Sequence, residues 1–128
     1  MSYLLDTHAL LFWLFDDDRL STTARGIIGD PGHPIFVSAA SAWEIATKHR
    51  LGKLDSAAVL AQDMAGYVRK AGFRELPVTI RHGQRAGGFP HPHRDPFDRI
   101  LAAQALLEGL KLITRDPALV QFGVDVLW

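Results

Sequence analysis

Four acids sit in four short segments of this chain. They are Asp6 in Leu4-Leu5-Asp6-Thr7-His8, Glu44 in Ser41-Ala42-Trp43-Glu44-Ile45, Asp98 in Asp95-Pro96-Phe97-Asp98-Arg99, and Asp116 in Ile113-Thr114-Arg115-Asp116. Each follows an apolar run of strand character or lies in the first turns of a run with helical spacing. A parallel sheet would present all four beyond one edge, where ligands of open α/β sheets bind. Carboxylates gathered there raise one another's pKa. A divalent cation is the common remedy, and hard oxygen donors suit Mg²⁺ or Mn²⁺. The chemistry implied is metal-assisted attack on a phosphate ester.

Each acid also has a plainer role open to it. Asp6 can cap the helix that follows the first strand, Glu44 can pair with Lys48 one helical turn on, and Asp98 can serve as the partner in a capping box. Asp95 directly before Pro96, and Asp116 directly before Pro117, both read as N-caps with Pro in the first helical position. Capping and metal binding are compatible, because a carboxylate has two oxygens. The specific signal is the conjunction of four acids at matching positions. Arg94, Arg99, Arg115 and Thr114 lie beside them in sequence and are candidates for gripping phosphate oxygens. His91 and His93 stand in a Pro-rich stretch and read as loop residues. His8 packs on or caps its helix, and His33 and His49 read as surface residues. No cysteine is present and no closed, His-rich set is visible, which disfavours zinc.

The elements that must position these residues alternate between strand and helix. Strands are expected at 2–6, 35–38, 73–78, 111–114 and 124–128. Helices are expected at 7–15, 21–28 with Ser21 as cap, 39–51 ending at Gly52, 56–71, 79–86, 96–108 ending at Gly109, and 116–121. Residues 87–96 read as a loop. The helix at 7–15 is apolar nearly all round, so it is buried or forms an interface. Trp43 and Ile45 are expected to point into the core. Such alternation argues for an α/β fold with a mainly parallel central sheet of about five strands, flanked by helices in three layers.

Length and composition agree with that reading. A chain of 128 residues, 48% hydrophobic, suits one domain spanning 1–128. No segment approaches the ~20 apolar residues of a membrane span, and the first residues lack the pattern of a secretory signal. Together with the absence of cysteine, this points to the cytoplasm. Lys plus Arg and Asp plus Glu balance at 14 each, so no global basic excess marks a nucleic-acid binder. The charge is uneven, however. Arg81, His82, Arg85, His91, His93, Arg94 and Arg99 face only Asp95 and Asp98 over one stretch, while Asp16-Asp17-Asp18 forms an acidic turn.

In order and spacing, the four acidic segments resemble the motifs of PIN-domain ribonucleases, and in particular the VapC-type toxins of bacterial toxin–antitoxin pairs. The resemblance covers nearly the whole chain. His93-Arg94-Asp95-Pro96-Phe97-Asp98-Arg99 followed by an Ala-rich helix is its most specific part. It implies a PIN-like fold and Mg²⁺- or Mn²⁺-dependent cleavage of RNA. It also implies a small antitoxin partner and a homodimer. Carried over by motif, the acidic set is Asp6, Glu44, Asp98 and Asp116. Asp6 and Asp98 would be direct metal ligands, Asp116 would complete the shell with Glu44, and Asp95 would be an additional acid. A nuclease acting on DNA and a non-catalytic partner-binding α/β module remain alternatives. A receiver-type phosphoacceptor module fits poorly, since the first strand ends in a single Asp and the third is followed by Thr79.

Overall fold

The computed structural model describes residues 1–128. Five short strands, β1 (Tyr3–Leu5), β2 (Ile35–Ser38), β3 (Arg74–Leu76), β4 (Lys111–Ile113) and β5 (Val126–Leu127), form one sheet in the order β3-β2-β1-β4-β5. Every pairing is parallel. The helices are α1 (Thr7–Leu14), α2 (Thr22–Ile28), α3 (Ala39–Arg50), α4 (Ala58–Gln62), α5 (Met64–Lys70), α6 (Ile80–Gly88) and α7 (Pro96–Glu108), with 3-10 turns at Asp55–Ala57 and Pro117–Phe122.

The period of two along the strands sorts their side chains into two cores. Tyr3, Leu5, Ile35, Val37 and Ile113 join Leu10, Phe12, Ile45, Leu60 and Val68 on one face. Leu4 and Leu112 join Leu101, Ala102, Leu119 and Phe122 on the other. A sheet covered on both faces needs strands that are apolar on both, and that is why β1 reads as an unbroken hydrophobic run and β4 buries Leu112 and Ile113 on opposite faces. The resulting three-layer α/β architecture matches the expectation. No helix is long and apolar enough to cross a membrane.

Local signals fix the helix that carries Asp98. The Asp95 carboxylate accepts from the amides of Phe97 (2.9 Å) and Asp98 (3.3 Å), and Pro96 takes the first turn. Gly109, at φ 65°, ends α7 in the left-handed conformation that favours glycine. Ala102, Ala103 and Ala105 are buried, and small side chains there let neighbouring elements approach closely.

Three expectations need correction. The helix expected at 56–71 is broken at Asp63, which has extended φ and whose carboxylate accepts from the Gly66 amide at 3.0 Å, opening α5. A local cap beside a helix-weakening glycine outcompetes an otherwise periodic pattern. Helix α6 runs on to Gly88, started by a reciprocal capping box between Thr79 and His82. Trp43 does not enter the core; it is 61% exposed while Ile45 is fully buried. Helix α3 turns Ala40, Ser41, Glu44 and Ile45 inward, which leaves Trp43 on the flank, edge-on to Phe97 at 4.8 Å. Helix α1 mainly serves the core: Phe12 is buried, Trp13 half-buried, and Phe15 just beyond its end is exposed.

Candidate functional site

The chain winds from β1 out to β2 and β3, then returns to place β4 on the other side of β1. The crevice beyond the carboxyl ends of β1 and β4 is therefore the topological switch point of the sheet. The register pairs Leu5 with both Val37 and Ile113, so the next residues, Asp6, Ser38 and Thr114, emerge at a common edge. The Asp6 amide donates to the Ile113 carbonyl at 3.1 Å. Its carboxylate caps α1 by accepting from the Ala9 amide at 2.7 Å. The Thr114 hydroxyl, itself buried, bonds the Asp6 carboxylate and accepts from the Asp116 amide at 3.1 Å. One hydroxyl thus ties the segment of Asp6 to that of Asp116. The Asp116 carboxylate caps the 3-10 turn through the Ala118 amide at 2.9 Å.

Burial pushes the Asp6 carboxyl above its ordinary range. The Thr114 bond, the Ala9 amide and nearby His8 oppose that rise, and the charge of Glu44 adds to it. Asp98, in the first turn of α7, is pushed up to about 6, first by burial and then by the charges of Asp95 and Glu44. His93 works against the rise. Its Nε2 donates to Asp98 Oδ2 at 2.9 Å. Glu44 is buried on α3 and doubly engaged. Thr7 Oγ1 donates to its Oε1 at 2.5 Å, with Ser41 Oγ 3.0 Å behind Thr7, and Lys48 Nζ pairs with its other oxygen.

The charge of Glu44 acts on the carboxyls of both Asp6 and Asp98, and Asp95, the cap of α7, acts on that of Asp98. Asp116 reaches the group through Thr114 and contributes to neither rise. The expected four-acid cradle is not closed: no three His, Asp or Glu side chains are arranged to hold one metal ion. The physical reason is that each carboxylate is engaged elsewhere: Glu44 by Lys48 and Thr7, Asp98 by His93, Asp95 and Asp116 by helix starts.

The basic residues divide differently from the sequence expectation. Arg99 does not face outward to grip phosphate. Its guanidinium donates to four main-chain carbonyls, those of Ala86 (2.8 Å), Phe89 (2.7 Å), His91 (2.8 Å) and His93 (2.8 Å). It is a positioning residue that fixes the loop carrying His93. Arg115 is exposed and lies 5.0 Å over the Phe12 ring, and Arg94 is exposed in the same loop as His93.

Sequence reasoning missed two histidines. His93 lies in the loop, as expected, and in addition contacts Asp98. The available signal was its place just ahead of the α7 cap, from which a side chain can lean over the first turn. His82, counted with the basic stretch, is 1% exposed. It accepts at Nδ1 from the Thr79 amide (3.0 Å) and donates from Nε2 to Glu108 (2.9 Å).

Comparison with known proteins places this geometry in context. The PIN domain family matches residues 3–124. A relative named Ribonuclease VapC16, from Mycobacterium tuberculosis, is 41% identical over 68 residues, which are 52% of this chain and 48% of that protein. The chain thus spans about half the length of that curated relative. Among solved structures, VapBC2 of Rickettsia felis, bound to a DNA fragment from its promoter, superposes with a TM-score of 0.71 at 13% identity. The match covers 100% of this chain and 99% of that one. A toxin–antitoxin complex from Klebsiella pneumoniae gives a TM-score of 0.59 at 22% identity, covering 89% and 86%. At these identities the two structures speak to the fold.

Proposed function

The chain belongs to the PIN-domain family, and from that premise we propose that it is a Mg²⁺- or Mn²⁺-dependent endoribonuclease, the toxin of a toxin–antitoxin pair. The reading is supported by two carboxyls, Asp6 at the end of β1 and Asp98 in the first turn of α7, both desolvated and both raised above their ordinary range. A hard divalent cation relieves both, and the donor set of carboxylate oxygens without thiolates fits Mg²⁺ or Mn²⁺.

Asp6 and Asp98 would hold the ion, with Asp116 third and Glu44 completing the shell directly or through water. When bound, the ion supplies activation of a water and neutralisation of charge developing on the phosphodiester. The chain's own residues do the rest. Thr114 orients the Asp6 carboxylate. His93 holds Asp98 by one oxygen and leaves the other open. Lys48 pairs with the buried Glu44 carboxylate and holds one of its oxygens. Arg94 and Arg115, both exposed, are the cations placed to meet phosphate oxygens, with Thr114 as a further donor.

The choice of RNA draws support from the name of the VapC16 relative, and the antitoxin from the toxin–antitoxin complex among the structural neighbours. A homodimer and a cytoplasmic location complete the proposal. The test is incubation of the purified protein with structured RNA and with single-stranded DNA of the same sequence, in Mg²⁺ and in Mn²⁺. RNA is cut and DNA is not, and Asp6→Ala and Asp98→Ala each lose at least about 100-fold in rate, as expected for residues central to metal-assisted hydrolysis. Variants that cut as fast as wild type would refute the site. Equal cutting of DNA would make the protein a general nuclease. No cutting, with tight binding of a partner protein, would make it a non-catalytic module. Growth arrest on expression, relieved by Asp98→Asn, tests the toxin role.

A further inference from the structure

A cavity of about 510 Å³ opens between α6, α7 and the loop after α6, lined by Arg81, Gln84, Arg85, Phe89, Leu107 and Phe122. Its volume lies within the range that takes a nucleotide-sized ligand. Arg81 and Arg85 are four residues apart on α6 and so share one face of it. The ion pairs of this chain involve Asp17, Asp16, Asp30, Glu44, Glu108 and Asp98, and none of them reaches either arginine. The Arg85 guanidinium lies 5.7 Å over the Phe89 ring. The Phe89 and Phe122 rings meet at 4.8 Å, tilted by 54°, and form an aromatic wall. Two unpaired cations, an amide and a π surface are the set that takes a phosphate together with a base.

The cavity is not isolated from the acids. Phe122 also touches the rings of His91 (5.3 Å) and His93 (5.7 Å), and His93 donates to Asp98. The carboxylates of Asp6, Glu44, Asp95 and Asp98 repel a polyanion, and the chain has no net positive charge to offset that. Affinity for a nucleic-acid strand must then come from cations placed locally.

We propose that this cavity is an accessory RNA subsite. It holds one nucleotide of the strand away from the scissile bond, with a phosphate on Arg81 and Arg85 and the base against Phe89. The inference rests on the ribonuclease reading but is tested separately from it.

The probe is a 5′-fluorescein-labelled 12-mer of oligouridylate, and the readout is fluorescence anisotropy with uncleaving Asp98→Asn protein in Mg²⁺. Adding Arg81→Gln and Arg85→Gln, which keep helix propensity, weakens binding about 10-fold or more. It also lowers the slope of log K against log salt by roughly 0.7, the value for one phosphate neutralised on a single strand. Arg81→Lys with Arg85→Lys retains the slope. With Asp98 restored, the glutamine pair raises KM while kcat stays within about twofold, a split that a merely structural role would not give.

Unchanged affinity and slope in the glutamine pair overturn the subsite even if wild type cleaves RNA. The same holds if a poly-glutamate peptide binds through these arginines while RNA affinity is untouched, which would assign the cavity to an acidic protein partner. If wild type cuts no RNA at all, the ribonuclease reading fails. The anisotropy arm then still decides the cavity, since arginine-dependent binding upholds it and arginine-independent binding refutes it.

Discussion

Replacing Asp98 with Asn should destroy activity and at the same time stabilise the metal-free fold. The Asp98 carboxyl titrates at about 6 in the folded protein against 3.8 for an ordinary Asp. The folded value is the higher, so the group's contribution to stability is fully present below pH ~4 and is lost as pH rises through about 6. A shift of about two pKa units corresponds to about 3 kcal/mol at most. The side chain is 19% exposed, and solvent screening roughly halves that figure to about 1.5 kcal/mol. Asn keeps the shape and still accepts from His93, but carries no charge to desolvate. At pH 7.5 in EDTA the variant should therefore melt roughly 5 °C above wild type. At pH 4.5 folded Asp98 is protonated but the unfolded carboxyl is still mostly ionised, so the gap should shrink to about a third. Calorimetric or circular-dichroism melts at the two pH values measure the difference directly. A variant that melts below wild type at pH 7.5, or a gap that does not change with pH, would refute the account of Asp98 as a desolvated carboxylate that His93 only partly compensates.

Other expectations follow from the same geometry. Mg²⁺ or Mn²⁺ at about 100 times its Kd should raise wild-type stability by about 2.7 kcal/mol; Asp6→Ala should lose that gain in thermal melts, and a gain retained would remove Asp6 from the ligand set. Arg99→Lys gives up a planar fork that serves four carbonyls and should cost roughly 2–4 kcal/mol. Limited proteolysis should then cut within 87–94, and an uncut loop would contradict the anchoring role. Gly109→Ala should cost about 1 kcal/mol in denaturant melts, because φ is +65° while nothing lies within 4 Å of the added methyl; a neutral substitution would show that the αL position carries no strain.

Much of the frame was readable from residue patterns because the strands are buried on both faces and the caps are strong. Asp-Pro at 95–96 and Gly109 bracket α7 within a residue of where it lies, and Ser21 does the same for the start of α2. What escaped was decided by tertiary contacts. Trp43 looks like core by type, yet only the packing of α3 against its neighbours decides which side is buried. Asp63 breaks a periodic run because its carboxylate finds an amide three residues on. At the site, the sheet edge for Asp6, Thr114 and Asp116 follows from strand order. The partners of Glu44 and Asp98 do not, since a buried carboxylate takes the nearest donor and that donor can come from anywhere in the fold. Arg99 shows the limit most clearly: a charged residue beside an acid suggests phosphate binding, and nothing local reveals that four carbonyls already occupy it.

The Arg99 anchor has a consequence for how this region can diverge. Its bonds are made to main-chain oxygens, so they are indifferent to the side chains between Ala86 and His93. Substitutions there leave the path of the segment unchanged while altering what it displays. Phe89 and His91 can thus be retuned toward a different binding partner without disturbing the aim of His93, provided the single guanidinium is kept.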